Sequence, residues 1–555
     1  MRPMYDVLFA LTLIFGIAAV LLVVAAQRSL PVIPFYLLAG ILVGVVIDET
    51  QLLDLAQWGV AFLVFLFGIH VDLEAVRSTG RISVAVSILQ VAVVGGLAVG
   101  AGLVFGLDAI NAVYLGVAAA LSSSLVATSY LDSAADTRPT YARLAESIHF
   151  TEDVLGVLIV LSLSAFVYAA TPAIEQFAVA GGILALALII RYAVFHRLTA
   201  RLRGDSEVMM LVGIAFVVGF IALAEAANLS IVVGAFAAGI AVADDYPHSL
   251  ELVDTVDDLE DFFSPIFFVT LGALLTLPGL ESIGYTLVLL VAIVVLNPLL
   301  AAALLLRAGF DGRTAVLTGL TLDQVSIFSL FIAIEALAAE QIAAPVFEAI
   351  VLAATLSMLL ATYTGRHAES INRWLRERGV ISALGESVGT RTSVADDLSD
   401  HIIVVDFEHG GRELVDSSTA RERERPLLII EDNPALYDEI QAACENYVYG
   451  DVLNEQVWKQ ARLEEAALVV ALTPRRARAE AVAGLETDVP RIVRVDTTEQ
   501  AAECSERGAS GVIYPDVLAA ERVGDDLVAV LEGEISREEL VERGRGRDRA
   551  ERGSG

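Results

Sequence analysis

Glu152 and Asp153 are adjacent carboxylates inside the apolar run LAESIHFTEDVLGVLIVLSL. On a helix, neighbours point about 100° apart, so the two do not address one ligand in the same way. His149 precedes Asp153 by four residues and Glu146 precedes His149 by three, which stacks these three on one face. A carboxylate in so apolar a setting is partly desolvated, which favours its protonated form. It can therefore alternate between a proton and a cation, the minimal chemistry of exchange. A polar cluster packing at a helix end is the competing explanation. Two further runs carry polar residues: AALSSSLVATSYLDS, with Ser122, Ser123, Ser124, Thr128 and Ser129, and GLTLDQVSIFSLF, with Asp323, Gln324 and Ser326. Hydroxyl oxygens can ligate a hard cation or merely back-bond to helix carbonyls. Asp323 is the stronger signal, because a carboxylate in mid-helix has few inexpensive explanations.

These residues must be positioned by spans that cross a membrane. Apolar stretches long enough for ~30 Å of hydrocarbon recur along the chain. They lie near 6–27, 30–47, 52–69, 82–105, 109–130, 145–170, 174–199, 207–226, 228–243, 261–278, 283–306, 313–337 and 345–365. The first is too long for a cleaved signal peptide. Arg28, Arg77, Arg81, Arg138, Arg143, Arg197, Arg201, Arg203, Arg307, Arg313, Arg366 and Arg373 all follow odd-numbered spans. Loops after even-numbered spans hold Asp48, Glu49, Asp108, Glu175, Glu281 and Glu340 and no Lys or Arg. The positive-inside rule then places the N-terminus outside and the C-terminal part in the cytoplasm of a multi-pass cell-membrane protein. Arg2 and the acidic inside loop 244–260 fit that rule poorly. Polar breaks at matched places in two halves point to a midplane site between inverted repeats.

Composition agrees with this division. The chain has 555 residues, 56% of them hydrophobic, and a formal net charge of −33. Through residue 375 there are 31 Asp and Glu against 14 Lys and Arg, and from 376 onward 38 against 22. The acidic balance argues against a nucleic-acid partner. Lys459 is the only lysine. An acidic, lysine-poor surface resembles proteins of salt-rich cytoplasm, where screening relieves self-repulsion. A GC-rich genome gives the same bias without salt. Cys444 and Cys504 both lie in the charged part and fit a reduced cytoplasm.

RSLPVIPFYLLAGILVGV, WGVAFLVFLFGIHVDLEAV, AALSSSLVATSYLD, FTEDVLGVL, VVGAFAAGIAVA and DFFSPIFFVTLGALL occur in the order and spacing of the monovalent cation:proton antiporters. Over residues 5–370 the chain most resembles their second branch, the Kef-type potassium/proton and bacterial sodium/proton exchangers. The resemblance implies a mobile core domain moving against a scaffold by alternating access, usually in a homodimer. It implies that Asp153 binds Na⁺ or K⁺ in exchange for H⁺, with Glu152 beside it. It also implies that the segments around Ser124 and Thr128, and around Asp323, Gln324 and Ser326, cross there, with His149 and Asn297 in support. The chain departs from the family in having Glu152 before the aspartate and Asp323 with Ile327 in the helix-12 motif. Asn297 stands near the place of a basic residue common in the family. Carboxylates without that cation need a bound cation or a proton.

Residues 371–399 read as a linker helix followed by a flexible segment. From His401 the runs HIIVVDF, PLLIIE, YVYG, ALVVALT, RIVRV and GVIYP alternate with helical stretches, a doubly wound α/β pattern. DHIIVV, LLIIEDNP, YGDVLNEQVW, ALVVALTP, RIVRVDT and ERGASGVIYPDVLAAER resemble the RCK or TrkA-N regulatory domain over 400–525. Residues 526–555 read as a charged, disordered tail. Where the family has G-x-G-x-x-G, this chain has Asp406-Phe407-Glu408-His409-Gly410-Gly411, and only Gly411 fits. Glu431 is the acid expected at a ribose, and Asp451 the acid of the adenine-side GD motif. A nucleotide remains possible there, but carboxylates at 406 and 408 disfavour the pyrophosphate of NAD. The expectation is therefore an all-α membrane domain of about 13 helices, with inverted repeats and crossed broken helices, plus a Rossmann-like domain. The expected function is antiport rather than enzymatic chemistry. A non-transporting sensor and an RCK-gated channel are the alternatives, and no TVGYG-like filter occurs.

Overall fold

Charge-poor apolar runs fold as helices because only a helix or a closed sheet satisfies its own backbone where water is absent. The computed structural model describes residues 2–28, 30–46, 49–69, 81–123, 140–167, 173–195, 206–243, 250–276, 278–381, 392–395, 397–407, 410–419, 425–432, 436–450, 452–453, 455–473 and 476–531. The chain divides into two units, a helical one built from residues of 1–386 and an α/β one built mainly from 387–555.

The helical unit begins with α1 (Arg2–Arg28), α2 (Val32–Val43), α3 (Glu49–Ile69), α4 (Arg81–Val104) and α5 (Ala109–Ala120). It continues with α6 (Thr140–Val167), α7 (Ala173–Ile190), α8 (Ser206–Ala226), α9 (Ile231–Val242) and α10 (Leu250–Ala273). Next, α11 runs from Leu280 to Ala308 through a π turn at Val291–Leu296. After it come α12 (Gly312–Leu320), α13 (Ile327–Ala338) and α14 (Ala344–Glu377). Among the described residues, five helices are long and apolar enough to cross a membrane unaided, within α1, α4, α7, α11 and α14. Several others are shorter because their spans are interrupted. The acidic stretch expected to be an inside loop over 244–260 is helical from Leu250 on, as α10 extends toward its N-terminus.

Backbones approach closely where side chains are smallest. A Cβ on Gly272 would lie 2.1 Å from the carbonyl oxygen of Leu37, so α10 and α2 meet main chain to main chain. A Cβ on Gly239 would lie 2.3 Å from that of Phe65, joining α9 to α3 in the same way. An aromatic seam ties α3, α10 and α13 together. Phe62 stacks on Phe263 at 3.8 Å between centroids, Phe67 meets Phe328 edge-on at 4.7 Å, and Phe267 meets Phe331 at 5.1 Å. The seam fixes the start of α13, next to Asp323, Gln324 and Ser326.

In the α/β unit, β1 (His401–Val405), β2 (Leu427–Glu431), β3 (Asn446–Tyr449), β4 (Ala466–Ala471), β5 (Arg491–Arg494) and β6 (Gly511–Ile513) form one parallel sheet in the order β3-β2-β1-β4-β5-β6. β2 is buried throughout, as expected when helices cover both faces. The helices are α15 (Gly411–Thr419), α16 (Tyr437–Ala443), α17 (Glu455–Gln460), α18 (Arg476–Ala483), α19 (Thr498–Glu506) and α20 (Pro515–Leu531). Two expectations need correction. The segment expected as a flexible linker up to 399 is partly paired: Ser393 exchanges both backbone bonds with Tyr447, at 2.9 and 2.7 Å. The open edge of β3 offers those groups, and pairing blunts it. The stretch expected as a disordered tail from 526 is helical as far as Leu531, where α20 ends; residues 532–555 lie outside the described residues. Cys444 and Cys504 are free thiols.

Candidate functional site

The Ser-rich run and the Asp323-Gln324 run break their helices and meet. α5 ends at Ala120, and Leu121 is already extended (φ −101°, ψ 137°). Between α12 and α13, residues 321–326 are unwound, and the two breaks pair as an antiparallel bridge between Ser122 and Val325. The Ser326 N–H donates to the Leu121 carbonyl at 3.1 Å, and Gln324 Nε2 donates to the Ser123 carbonyl at 2.8 Å. Ser326 also caps α13, accepting from the Phe328 N–H at 3.0 Å. Backbone groups freed by two interruptions thus satisfy one another in part, as buried main chain requires.

α6 passes beside this crossing. Glu152 Oε2 accepts from the Ser122 N–H at 2.9 Å and also from the Ser122 hydroxyl. Ser122 Oγ lies 3.1 Å from His149 Nδ1. With its single proton directed at Glu152, the hydroxyl accepts from His149, forming the chain His149–Ser122–Glu152. Asp153 is buried at 4% exposure, about 100° further round α6. His149 and Asp153 remain one turn apart on α6, as expected, and through Ser122 the crossing also links His149 to Glu152.

Asn297 follows the π turn of α11, a geometry frequent at functional sites. It is fully buried, and its Nδ2 donates to the Ala119 carbonyl at the end of α5 at 3.3 Å. Asp323 and Gln324 are neighbours in the unwound segment, and their side chains find different partners. Gln324 faces Ser123, whereas Asp323 accepts from the Thr364 hydroxyl of α14. On that side Ser357 of α14 also accepts from the Val325 N–H at 3.1 Å. Glu152 Oε1, His149 Nε2, Ser123 Oγ, Asn297 Oδ1, Gln324 Oε1 and Asp323 Oδ1 are buried without a hydrogen-bond partner in the protein. Buried polar atoms are usually paired. Oxygens dominate this set, which suits a cation or a proton.

Of the residues expected in the site, the structure brings together Glu152, His149, Gln324, Ser326 and Asn297. It holds Asp323 on the α14 side and buries Asp153 beside Glu152. Ser124 and Thr128 lie outside the described residues. Ser122 is the residue that meets α6, and no sequence signal separates it from its serine neighbours. Two further carboxylates gave no signal in the sequence, Glu348, which is buried, and Glu335, which is half-buried. Glu335 of α13 accepts from Ser230 at 3.0 Å, and Glu348 of α14 accepts from Ser282 at 2.5 Å and from Thr276.

In the α/β unit, Asp406 adopts φ 73°, the left-handed conformation that the loop's first glycine supplies elsewhere. A Cβ on Gly411 would lie 2.2 Å from the Asp406 carbonyl oxygen, so this glycine is required. Glu431 Oε2 accepts from the Phe407 N–H and Oε1 from the Asp432 N–H, each at 2.9 Å. Asp432, after β2, pairs with Arg478 of α18, after β4; both are buried. As β2 and β4 flank β1, this pair spans the carboxyl end of β1, where doubly wound folds take their ligands. Asp451 lies outside the described residues.

The fold and this crossing define a helical membrane transporter with an appended Rossmann-like domain. Residues 10–367 match the family described as sodium/hydrogen exchanger, transmembrane, and the chain belongs to it. Residues 402–515 match the TrkA-N domain. Among curated relatives, the putative cation/proton antiporter YbaL of Escherichia coli (strain K12) is 25% identical over 531 residues, covering 90% of this chain and 94% of that protein. The iron transporter MagA of Paramagnetospirillum magneticum is 27% identical over 347 residues, covering 60% and 79%. The putative K(+) efflux antiporter KefB of Alkalimonas amylolytica is 24% identical over 542 residues, covering 92% and 80%.

Proposed function

We propose that the protein exchanges a monovalent cation, Na⁺ or K⁺, for protons across the cell membrane by alternating access. The carrying observation is the Ser122–Val325 bridge of two broken helices, with Glu152 hydrogen-bonded to it and Asp153 adjacent. Membership of the exchanger family and relatives named as cation/proton and K(+) efflux antiporters support this reading. In it, Asp153 and Glu152 trade the cation for protons, and Ser123, Gln324 and Asn297 supply neutral oxygens around them. Ser124 and Thr128, on the same run as Ser122, belong to the same ligand region. The N-terminus lies outside, the α/β unit in the cytoplasm, and the transporter is a homodimer, readings that rest on the arginine-bearing loops and on the resemblance.

The α/β unit regulates transport. The Phe407 amide of this loop is taken by Glu431, and carboxylates stand at positions 406 and 408 of the sequence, so the residues present do not suit a dinucleotide. A nucleoside-sized ligand that avoids the loop is compatible with them. Proton flux in proteoliposomes under Na⁺ and K⁺ gradients, with membrane potential clamped and unclamped, tests the exchange and identifies the cation. Full cation-dependent proton movement by Asp153→Asn would overturn the assignment, and no flux by the wild type at any pH would favour a sensor.

A further inference from the structure

Gln90, in the middle of α4, is fully buried, and neither its amide nitrogen nor its amide oxygen has a hydrogen-bond partner in the protein. Such an amide destabilises the fold unless a ligand or solvent satisfies it. A leucine or methionine would fill the same volume without that penalty.

Packing registers locate Gln90 along the bundle. α4 and α5 run antiparallel, with Gly95 against Gly116 and Ala120, and Gly102 against Ala112 and Leu115. Just past the end of α5, Leu121 lies against Gly156 and Ser122 against Glu152 of α6. One crossing of the membrane separates α4 from α6, so the two run in the same sense, and the Ser87 hydroxyl of α4 donates to the Ile148 carbonyl of α6 at 3.2 Å. Gln90 falls close to the face of α4 that carries Ser87, a little under one turn further on. Carried to Gln90, the contact at Ile148 sets it at the level of Thr151 and Glu152. That level of α6 meets the crossing through Glu152, and there Ser123 Oγ, Glu152 Oε1, Gln324 Oε1 and Asn297 Oδ1 also lack partners in the protein.

We propose that Gln90 is a ligand residue of the ion site, its amide oxygen replacing part of the hydration shell of the cation held by the α6 carboxylates. This rests on the exchange reading above. A neutral amide adds affinity without adding charge, so it strengthens cation binding while leaving the count of exchanged protons unchanged.

The full-length protein carrying Gln90→Leu or Gln90→Asn, reconstituted in proteoliposomes, provides the test, together with thermal unfolding in NaCl, KCl and N-methylglucamine chloride. Gln90→Leu should raise the KM for the cation about tenfold, equivalent to about 1.4 kcal/mol, with a much smaller change in maximal rate. It should shrink the cation-induced rise in melting temperature yet melt higher in N-methylglucamine, and Gln90→Asn should fall between it and the wild type. An unchanged KM with an unchanged cation-induced shift would overturn the inference, as would a Gln90→Leu protein that fails to fold while Gln90→Asn folds. If the wild type moved no protons, the exchange reading would fall, and the thermal shifts would still decide the role of Gln90.

Discussion

The helical unit and the α/β unit each have one place where backbone groups lie outside regular pairing, and they treat it in opposite ways. At the crossing, the backbones of two breaks pair with each other, while six side-chain atoms around them lack partners in the protein. At the end of β1, Glu431 caps the loop amide, and the Asp432–Arg478 pair spans the crevice. At the first, neutral and acidic oxygens are left open beside the crossing; at the second, a carboxylate and a buried ion pair close most of the loop. Polar burial that lacks partners marks function, and polar burial that is paired marks architecture.

That contrast can be broken most directly at the carboxylates. Glu152→Gln and Asp153→Asn should each reduce cation-coupled proton exchange to the level of protein-free liposomes, while the melting temperature stays level or rises, since a buried charge is removed. Surviving exchange with a lower melting temperature would make the crossing an architectural joint like the crevice. Arg478→Ala should do the reverse. It strands Asp432 and should cost about 3–5 kcal/mol of the α/β unit's stability. Denaturant unfolding of the full chain, followed through the buried Trp458, reads this loss, and Asp432→Ala in the same chain should recover part of it. A smaller effect is expected for Ser122→Ala, which removes the hydroxyl donor of Glu152 and should cost about 1–3 kcal/mol, read as a lower melting temperature.

The smallest effect concerns His401 in β1. Its Nε2–H donates to the Ala461 carbonyl at 2.9 Å, and burial pushes the imidazole below its ordinary value. The folded pKa is lowered, so the folded state refuses a proton that the unfolded chain accepts. Stability is unaffected above the unfolded value of about 6.5 and falls as pH drops from there toward the lowered value, by at most about 1.4 kcal/mol per pH unit. Unfolding between pH 7 and pH 5 should show this slope in the wild type and lose it in His401→Gln.

Much of this was legible in the sequence, for identifiable reasons. The six strands were visible because β-branched runs such as HIIVV and LLIIE are fully buried in a parallel sheet. The two breaks were visible because Ser122–Ser124 and Asp323-Gln324 are costly in apolar helices. Which serine meets Glu152 was not visible, since that is decided by where a segment some 200 residues away crosses. Gln90 gave no signal, because one amide in an apolar helix resembles a packing residue until its lack of partners is seen. Ser393 joined the sheet through backbone alone, and its side chain could not have announced it.

Three ties converge on one helix. Asp323 is held by Thr364 and Val325 by Ser357, and Arg313 pairs with Glu369, all on α14. That helix runs unbroken for 34 residues, about 51 Å at 1.5 Å per residue. An α-helix resists stretching, because lengthening it breaks its own ladder of bonds. α14 is therefore one continuous rod, and the contacts that hold the crossing sit on the same unbroken helix that ends at Glu377.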